Sequence, residues 1–298
     1  MNICVVCDGV HGSAHYVIQQ LAPHSKHTWK IVQWNPDPHM DWADIVYVHY
    51  GGMINSRHPK YIKRLKDKRA KWIAGVRGMT NFRRWAHGFK YPPLRMKDFV
   101  HELSAISCAN KKFEQQISPI TDVPVYTCHS TIDTQTFVPG GYPEEFCIGW
   151  AGVSGSGAKR FGDFQRLPFK QVTSAIGQGT GRPFKEMPSF YPTASMYVST
   201  SYTEGSAVPP KEAAACGLPV AAISTGDFPE WIPPEYLVPN IKDGWKALIP
   251  IIQRLKDDPE LLRSEGQRFR QLSLQWDSRE VVKEYDRMFD DILSTSSS

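Results

Sequence analysis

Residues 196–231 read MYVSTSYTEGSAVPPKEAAACGLPVAAISTGDFPEW, and this stretch decides the fold. Met196–Thr200 is a short apolar run that ends in turn residues, a pattern typical of a buried parallel strand. Pro209–Pro210 suits the first turn of a helix, where no N–H donor is needed, and Gly217 suits its end. Val220–Ile223 indicates the next strand. The order of strand, loop, helix and strand predicts an α/β protein.

The loop between this strand and this helix leads to a pair of glutamates. Glu204 lies in the loop and Glu212 lies in the helix. In open α/β sheets, ligands bind beyond the carboxyl ends of the strands, where this loop lies. The start of the helix adds unpaired N–H groups and the positive end of the helix dipole, which favour a phosphate. Two carboxylates beside a phosphate site can hold sugar hydroxyls, although the same spacing also suits a solvated helix face.

The order of motifs over this stretch resembles the signature of the retaining GT-B glycosyltransferases of family 4. That signature has a Glu-Gly loop, seven residues between two glutamates, an EA-x-A-x-G-x-P-V run and a glycine turn that ends in Glu. The matching positions are Glu204-Gly205, Glu212-Ala213, Ala215, Gly217, Pro219-Val220, Gly226 and Glu230. The resemblance implies transfer of a sugar from a nucleotide-diphosphate sugar, with this stretch at the donor.

The same resemblance implies a GT-B fold, in which two Rossmann-like domains with parallel sheets face each other across a cleft. It predicts an acceptor-binding domain at residues 1–140 and a nucleotide-sugar-binding domain at residues 141–276. Residues 277–298 are predicted to form a helix that returns to the first domain, followed by a frayed tail. The length of 298 residues agrees with two domains.

The composition is that of a globular protein, with 41% hydrophobic and 22% charged residues. No uninterrupted run of about 18 apolar residues occurs, so we expect no transmembrane helix. The chain starts directly with a strand, without the basic region of a signal peptide. The six cysteines lie mostly in apolar runs, as reduced thiols do in cytoplasmic proteins. We therefore expect a cytoplasmic location, and no metal at Cys4-x-x-Cys7, which lies inside a predicted strand.

A second group of predicted donor residues precedes the signature. Lys159 and Arg160 follow a predicted strand at Phe146–Ala151 and a glycine-rich loop. Family 4 enzymes place a basic pair here to hold the donor diphosphate, although a solvated basic turn is the alternative. Residues 161–182 are shorter than in the family, which predicts that part of a βα unit is missing. Arg182 belongs to a run that resembles the loop touching the donor's base.

By the resemblance, Glu204 contacts the donor sugar and Glu212 contacts the ribose. Lys159, Arg160 and Glu204 are therefore predicted catalytic residues. The donor site also includes residues of the signature loop, the base loop and the first glycine turn of the chain. These are Gly205, Ser206, Ala207, Val208, Arg182, Gly12 and Ser13. For the last two, a plain turn between strand and helix is an equally good interpretation.

Two residues in the first half stand where the family has substrate contacts. The predicted strand Ile45–His49 ends in His, as the family's third strand does, and His49 is predicted to bind the acceptor. Arg77 follows the predicted strand Trp72–Val76, where family members often have a His that faces the reacting sugar. An arginine could bind a donor phosphate or an anionic acceptor instead, so Arg77 is a further catalytic candidate.

Residues 57–97 carry a large excess of positive charge. They contain fourteen Lys and Arg and one acid, Asp67, which gives 14 − 1 = +13 against +5 for the whole chain. Aromatic residues are interspersed among the cations. A charge run is usually a solvated face, but an excess of this size predicts an anionic acceptor, or an anionic surface that presents it.

DNA and an anionic membrane are the two candidate partners. Basic residues with interspersed aromatics suit nucleic acid, and Arg83, Arg84 and Trp85 look like a contact loop. A basic amphipathic helix suits a membrane, although the apolar stripe of residues 61–69 is narrow. We favour DNA with a hydroxymethylated base, which a virus-encoded enzyme could modify in the host cytoplasm. Transfer to a membrane lipid or another glycan is the alternative.

The predicted reaction needs no cofactor beyond the donor substrate. No Asp-x-Asp motif occurs, so the sequence does not indicate an obligatory metal. The competing class is a non-catalytic module that binds a nucleotide sugar on the same fold. The sequence does not indicate the sugar, the nucleotide or the oligomeric state.

Overall fold

The structure is a computed structural model that describes residues 1–7, 13–33, 39, 41–50, 69–78 and 100–294. For residues 13 and 14 it describes the backbone alone. The chain forms two compact units. The first unit comprises Met1–Thr131 and Ser278–Ser298, and the second unit comprises Ile132–Asp277.

In the described part of the first unit, six parallel strands form one sheet. They are β1 (Asn2–Cys7), β2 (Thr28–Gln33), β3 (Ile45–Val48), β4 (Lys71–Val76), β5 (Ala105–Cys108) and β6 (Val125–Thr127). Their order is β2-β1-β3-β4-β5-β6. Strands β1, β3, β4 and β5 are buried along nearly their whole length. Burial on both faces explains why they read as continuous apolar runs.

The second unit has a parallel sheet of its own. Its strands are β7 (Ile148–Val153), β8 (Gln171–Ile176), β9 (Met196–Ser199), β10 (Val220–Ile223) and β11 (Leu237–Val238). Their order is β11-β10-β9-β7-β8.

Among the described residues, helices connect strands in both units, as in other α/β folds. They are α1 (Ser13–Leu21), α2 (Lys111–Ile117), α3 (Phe161–Gln165), α4 (Met187–Phe190), α5 (Val208–Ala215), α6 (Phe228–Trp231), α7 (Leu248–Asp257), α8 (Pro259–Ser273) and α9 (Ser278–Ser294). No helix in the described ranges is long and apolar enough to span a bilayer.

Both sheets have a point at which the strand order reverses. In the first unit β1 lies between β2 and β3, and in the second unit β7 lies between β8 and β9. At such a point the loops after two neighbouring strands lead to opposite faces of the sheet, which leaves a crevice at the carboxyl ends. The expected ligand position in the second unit is therefore beyond β7 and β9.

The last helix, α9, packs in the first unit although it follows the second unit in sequence. The ring of Phe289 lies 5.7 Å from that of Trp29 and 6.1 Å from that of Tyr47. Tyr285 donates its hydroxyl to the carbonyl of His129 at 3.1 Å. The carboxy-terminal helix thus returns to the first domain, as predicted for the GT-B fold.

Helix α5 ends where the sequence predicts. The N–H of Gly217 donates to the carbonyl of Ala214 at 2.9 Å, and that of Leu218 donates to the carbonyl of Ala213 at 3.0 Å. These two bonds form a Schellman motif, which needs a left-handed residue after the helix. Gly217 supplies it with a φ of 80°, a conformation that strains other residues.

The segment of residues 161–182 was expected to lack part of a βα unit found in the family. It contains helix α3 and strand β8, and the predicted shortening relative to the family stays a prediction. The strand reads QVTSAI and lies at the edge of the sheet, where only Ser174 and Ala175 are buried. Because an edge strand has little apolar surface to bury, its sequence shows no apolar run.

Candidate functional site

Two loops lie side by side beyond the carboxyl ends of β7 and β9. The N–H of Tyr202, in the loop after β9, donates to the carbonyl of Ala158, in the loop after β7, at 2.7 Å. The hydroxyl of Thr200 donates to the carbonyl of Arg160 at 3.0 Å. These bonds fix the two loops to each other at the point where the strand order reverses.

An ion pair joins the same two loops. Lys159 Nζ, after β7, lies 2.6 Å from Glu204 Oε1, after β9. The lysine side chain is 26% exposed and the glutamate side chain is 10% exposed, so a ligand can reach the pair from one side. The structure thus brings together two predicted catalytic residues that lie 45 positions apart. An ammonium group and a carboxylate in contact can bind a phosphate and a hydroxyl, respectively.

Arg160 also belongs to this pair of loops. Its guanidinium lies 4.9 Å from the centre of the Tyr202 ring and 3.9 Å from a carboxylate oxygen of Asp163. Its φ of 45° is left-handed, which costs a residue with a side chain about 1–2 kcal/mol. The next residue, Phe161, packs on Trp150 with the ring centres 4.5 Å apart and anchors α3. The packing of Phe161 on Trp150 therefore offsets the cost of the left-handed backbone conformation at Arg160, which lies next to Lys159.

Glu212 is buried in α5, with 1% of its surface exposed. Its Oε2 accepts a hydrogen bond from the Tyr191 hydroxyl at 2.5 Å, and its Oε1 has no partner among the described residues. Burial raises the pKa of Glu212 to about 8, while the Tyr191 hydrogen bond acts in the opposite direction. The carboxyl group is therefore mainly neutral near pH 7 and can both donate and accept a hydrogen bond.

The start of α5 offers fewer N–H groups than most helices do. The helix begins at Val208, and no side chain caps it. Pro209 and Pro210, in its first turn, have no N–H to give. The backbone donors at this helix start are therefore those of Ala207 and Val208, together with that of Ser206 just before them.

The glycine turn after β10 holds the Glu204 loop from the other side. The N–H of Asp227 donates to the carbonyl of Gly205 at 3.0 Å. A Cβ on Gly226 would lie 2.7 Å from that carbonyl oxygen and 2.8 Å from Cβ of Glu204, so the turn excludes any side chain there. Gly226 thus allows a close contact between the backbones of the two loops.

Sequence analysis missed a buried cluster beneath this loop. Lys211 Nζ lies 2.8 Å from Asp227 Oδ2, and both side chains are fully buried. The same ammonium donates to Ser206 Oγ at 2.7 Å, and the Ser206 hydroxyl donates to Asp227 Oδ2 at 2.7 Å. The ring centre of Trp276 lies 3.8 Å from Lys211 Nζ. The signal for it was a lysine inside a helix of otherwise apolar or small residues, next to Glu212.

Arg182 is exposed. Its N–H donates to Ser174 Oγ at 3.1 Å, and its guanidinium lies 5.7 Å from the ring centre of Phe190. These contacts set the loop after β8 next to the edge strand. Its predicted contact with the base of the donor stays a prediction.

In the first unit, Arg77 forms hydrogen bonds in the interior. Its guanidinium donates to the Tyr47 hydroxyl, the Ser107 hydroxyl and the carbonyl of Cys128. It also lies 5.9 Å from the ring centre of Tyr285 on α9. Arg77 therefore links β3, β5, the end of β6 and α9. The substrate contact predicted for it stays a prediction.

His49 lies directly after β3 and is buried. Its N–H donates to the carbonyl of Val6 at 3.0 Å, and its Nδ1 lies 3.1 Å from the Tyr47 hydroxyl. Burial, followed by the charge of Arg77, holds the pKa of His49 well below its ordinary value. The imidazole is therefore neutral at pH 7, and its predicted acceptor contact stays a prediction.

Several predicted site residues lie outside the described ranges. They are Gly12, Arg83, Arg84 and Trp85, and the Ser13 side chain is also outside. Of the fourteen cations in residues 57–97, the described ones are Arg69, Lys71 and Arg77. Across the described ranges, no group of three or more His, Cys, Asp and Glu residues is arranged to hold a metal ion.

Comparison with known proteins finds a family match within the second unit. Residues 162–258 match the family model described as Glycosyl transferases group 1. This match covers most of the second sheet, including the Glu204 loop and α5. No curated protein sequence matches the chain.

Solved structures with the same fold are glycosyltransferases. Sucrose-phosphate synthase from Thermosynechococcus elongatus matches with a TM-score of 0.75 at 13% identity, over 99% of this chain and 100% of that chain. HepE from Anabaena, solved with UDP, matches with a TM-score of 0.69 at 12% identity, over 99% and 100%. The pneumococcal O-GlcNAc transferase GtfA, solved with UDP and GlcNAc, matches with a TM-score of 0.62 at 12% identity, over 84% and 57%.

These matches confirm the predicted glycosyltransferase resemblance and the predicted fold. The chain has the GT-B fold, and residues 162–258 match the Glycosyl transferases group 1 family model.

Proposed function

We propose that this protein is a retaining glycosyltransferase that moves a sugar from a nucleotide-diphosphate sugar to a hydroxyl of an anionic acceptor. The observation that carries the proposal is the Lys159–Glu204 ion pair. It lies beyond β7 and β9, where a doubly wound sheet binds its ligand, and Glu204 lies in the stretch that matches the family model.

In the reaction, the acceptor hydroxyl attacks the anomeric carbon on the face from which the nucleoside diphosphate leaves. The bond from the anomeric carbon to the acceptor oxygen forms, and the bond to the phosphate oxygen breaks. The hydroxyl proton passes to the departing phosphate. Negative charge grows on the leaving group, and positive charge grows on the sugar. Cations near the leaving group and carboxylates near the sugar therefore lower the barrier.

The Lys159–Glu204 pair can meet both needs. In the free protein each group neutralises the other, which keeps a charged lysine beside the position of the diphosphate. When the donor binds, the ammonium can turn towards the phosphate, while the carboxylate accepts hydrogen bonds from the sugar hydroxyls. Arg160 adds a second cation to the same loop.

Glu212 suits the ribose of the donor. Its neutral carboxyl can donate to one ribose hydroxyl and accept from the other, and its Oε1 has no partner among the described residues. Tyr191 holds the other oxygen and so fixes the plane of the group. The UDP and UDP-glucose bound to HepE make UDP-sugars the first donors to test.

DNA with a hydroxymethylated base is the acceptor that we favour, on the evidence of the +13 charge of residues 57–97. Such a hydroxyl must leave the base stack to reach a donor. A lipid or glycan at an anionic membrane is the alternative, and the experiment separates the two.

The deciding experiment supplies a panel of nucleotide sugars with hydroxymethylated DNA, unmodified DNA or anionic lipid extract, and detects the products by mass spectrometry. A sugar-sized mass gain on hydroxymethylated DNA alone is the expected result. A Glu204→Gln variant, which removes the carboxylate charge at the ion pair, should give no product. If no donor supported either transfer or hydrolysis, the protein would instead be a non-catalytic binding module.

Activity should persist in EDTA, because Lys159 and Arg160 can supply the positive charge that a metal gives in other transferases. The measurement compares initial rates with and without excess chelator, after extensive dialysis. A rate that disappears in EDTA and returns with Mn²⁺ or Mg²⁺ would contradict this expectation.

DNA binding should depend steeply on salt. If about six of the fourteen cations contact phosphates, the slope of log K against log salt is about −5 on duplex DNA. The double variant Arg83→Glu with Arg84→Glu should bind DNA more weakly and keep its donor hydrolysis. A matched control, Lys246→Glu with Lys256→Glu, makes the same change of charge on exposed residues of the second unit and should bind DNA almost normally. Salt-independent or undetectable binding would favour the membrane alternative.

A further inference from the structure

The strongest unassigned feature is the buried pair of Lys211 and Asp227 beneath the Glu204 loop. Both side chains are fully buried, and the charged atoms lie 2.8 Å apart. Their charged atoms contact each other and the hydroxyl of Ser206. An effect of the pair on a bound donor would therefore act through Ser206 and the loop that carries it.

Ser206 is the residue that the pair holds in the loop. Its hydroxyl accepts from Lys211 at 2.7 Å and donates to Asp227 at 2.7 Å, so it lies between the two charges. The backbone is tied at the same point, since the Asp227 N–H donates to the carbonyl of Gly205 at 3.0 Å. The loop, the first turn of α5 and the glycine turn are therefore joined through one buried cluster.

The position of Ser206 matters because of the two prolines that follow. With Pro209 and Pro210 in the first turn, part of the normal supply of N–H groups at a helix start is missing. An anion at this place must rely on the N–H groups of Ser206, Ala207 and Val208 just before the prolines. These groups point correctly only if the loop holds one conformation.

Stability alone gives little reason for a buried ion pair. Apolar side chains of similar volume are often as stable as a buried pair or more so, because both charges must lose their water. An apolar pair makes no directional contacts and so cannot orient a serine hydroxyl. The geometry therefore indicates that the ion pair orients Ser206.

We propose that Lys211 and Asp227 are positioning residues, which hold the Ser206–Val208 backbone in the conformation that receives the donor diphosphate. The assignment of the ligand rests on the proposed function, whereas the fixing of the loop does not. The experiment therefore measures the loop and the ligand separately.

The main variant is Lys211→Met with Asp227→Leu, which replaces both charges by apolar side chains of similar shape and leaves no single buried charge. Ser206→Ala is the second variant, because it cuts the link to the loop and keeps the ion pair intact. The control is Arg268→Met with Glu235→Gln, which removes an exposed ion pair of 2.7 Å elsewhere in the same unit.

The first measurement is amide hydrogen exchange at position 227 without any ligand, because this N–H bonds to Gly205 in the loop. The main variant and Ser206→Ala should exchange about tenfold faster there, since they lose hydrogen bonds to charged groups. The amide of Ala221, in β10, should not change, and neither amide should change in the control. Unchanged exchange at position 227 in both variants would overturn the proposal.

The second measurement is the affinity for UDP, used as the probe, by calorimetry. The main variant should bind UDP about tenfold more weakly while keeping a melting temperature close to that of the wild type. Faster exchange with unaltered UDP affinity would overturn the donor role of the pair. If the wild type itself binds no UDP, the proposed donor is contradicted, and the exchange result alone decides whether the pair fixes the loop.

Discussion

Replacing Lys159 with alanine should lower kcat for glycosyl transfer by about 100- to 1000-fold, the usual effect of removing one group that stabilises charge in a transition state. The ammonium lies at the Glu204 carboxylate in the free protein, so it is already held where we propose that the diphosphate binds. Its interaction with the leaving group strengthens as the bond breaks. The loss should therefore be larger in kcat than in the affinity for the donor.

Two further variants make this result specific. Lys170→Ala removes another lysine of the second unit, which pairs with Glu145 on the surface, and should keep nearly full activity. Lys159→Ala with Glu204→Gln removes both charges, so no unpaired carboxylate remains to affect the fold. If the loss in the Lys159→Ala variant appears equally in donor affinity and in kcat/KM, the lysine anchors the ground state only.

The Glu212→Gln variant should be more stable than the wild type at alkaline pH. Burial raises the pKa of Glu212 to about 8 from an ordinary value of 4.5. A carboxyl with a higher pKa in the folded state keeps its proton there while the unfolded chain has lost it. The free energy of unfolding therefore falls as the pH rises through this window, by at most about 1.4 kcal/mol per pH unit.

Urea unfolding at pH 4.5, 6, 7.5 and 9 measures this difference. The free energies of unfolding of the two proteins should be similar at pH 4.5. At pH 9 that of the variant should be higher by about 2–4 kcal/mol. Glu186→Gln, at an exposed position of the same unit, is the control and should show no such trend. A stability difference between Glu212→Gln and the wild type that does not change with pH would show that Glu212 stays ionised in the folded protein.

The central strands and the signature helix were predictable because their physical signals are local. Burial on both faces makes β1, β3, β4, β9 and β10 mainly apolar, and the run around Gly217 has the residues typical of a helix end. The family resemblance rests on spacing within this one stretch. Each of these features can be recognised without knowing what the residues contact.

Pairings between distant residues were not predictable. Lys159 and Glu204 were each assigned to the donor, but nothing in their local sequence indicates that they contact each other. The same holds for Tyr191 and Glu212, where a tyrosine in the 3-10 turn after α4 forms a hydrogen bond with a carboxyl group 21 positions away. Lys211 was overlooked because a lysine beside a glutamate normally indicates a solvated helix face. Its burial depends on partners distant in sequence, Asp227 and Trp276.

The return of α9 to the first unit also affects how the chain is made. The second unit is continuous in sequence, whereas the first also includes α9, which follows the second unit. Helix α9 is therefore synthesised after the whole of the second unit. Until α9 docks, the first unit lacks Tyr285 and Phe289, which cover Tyr47 and Trp29. The first unit thus exposes apolar surface, on which chaperones can act, for as long as α9 is missing.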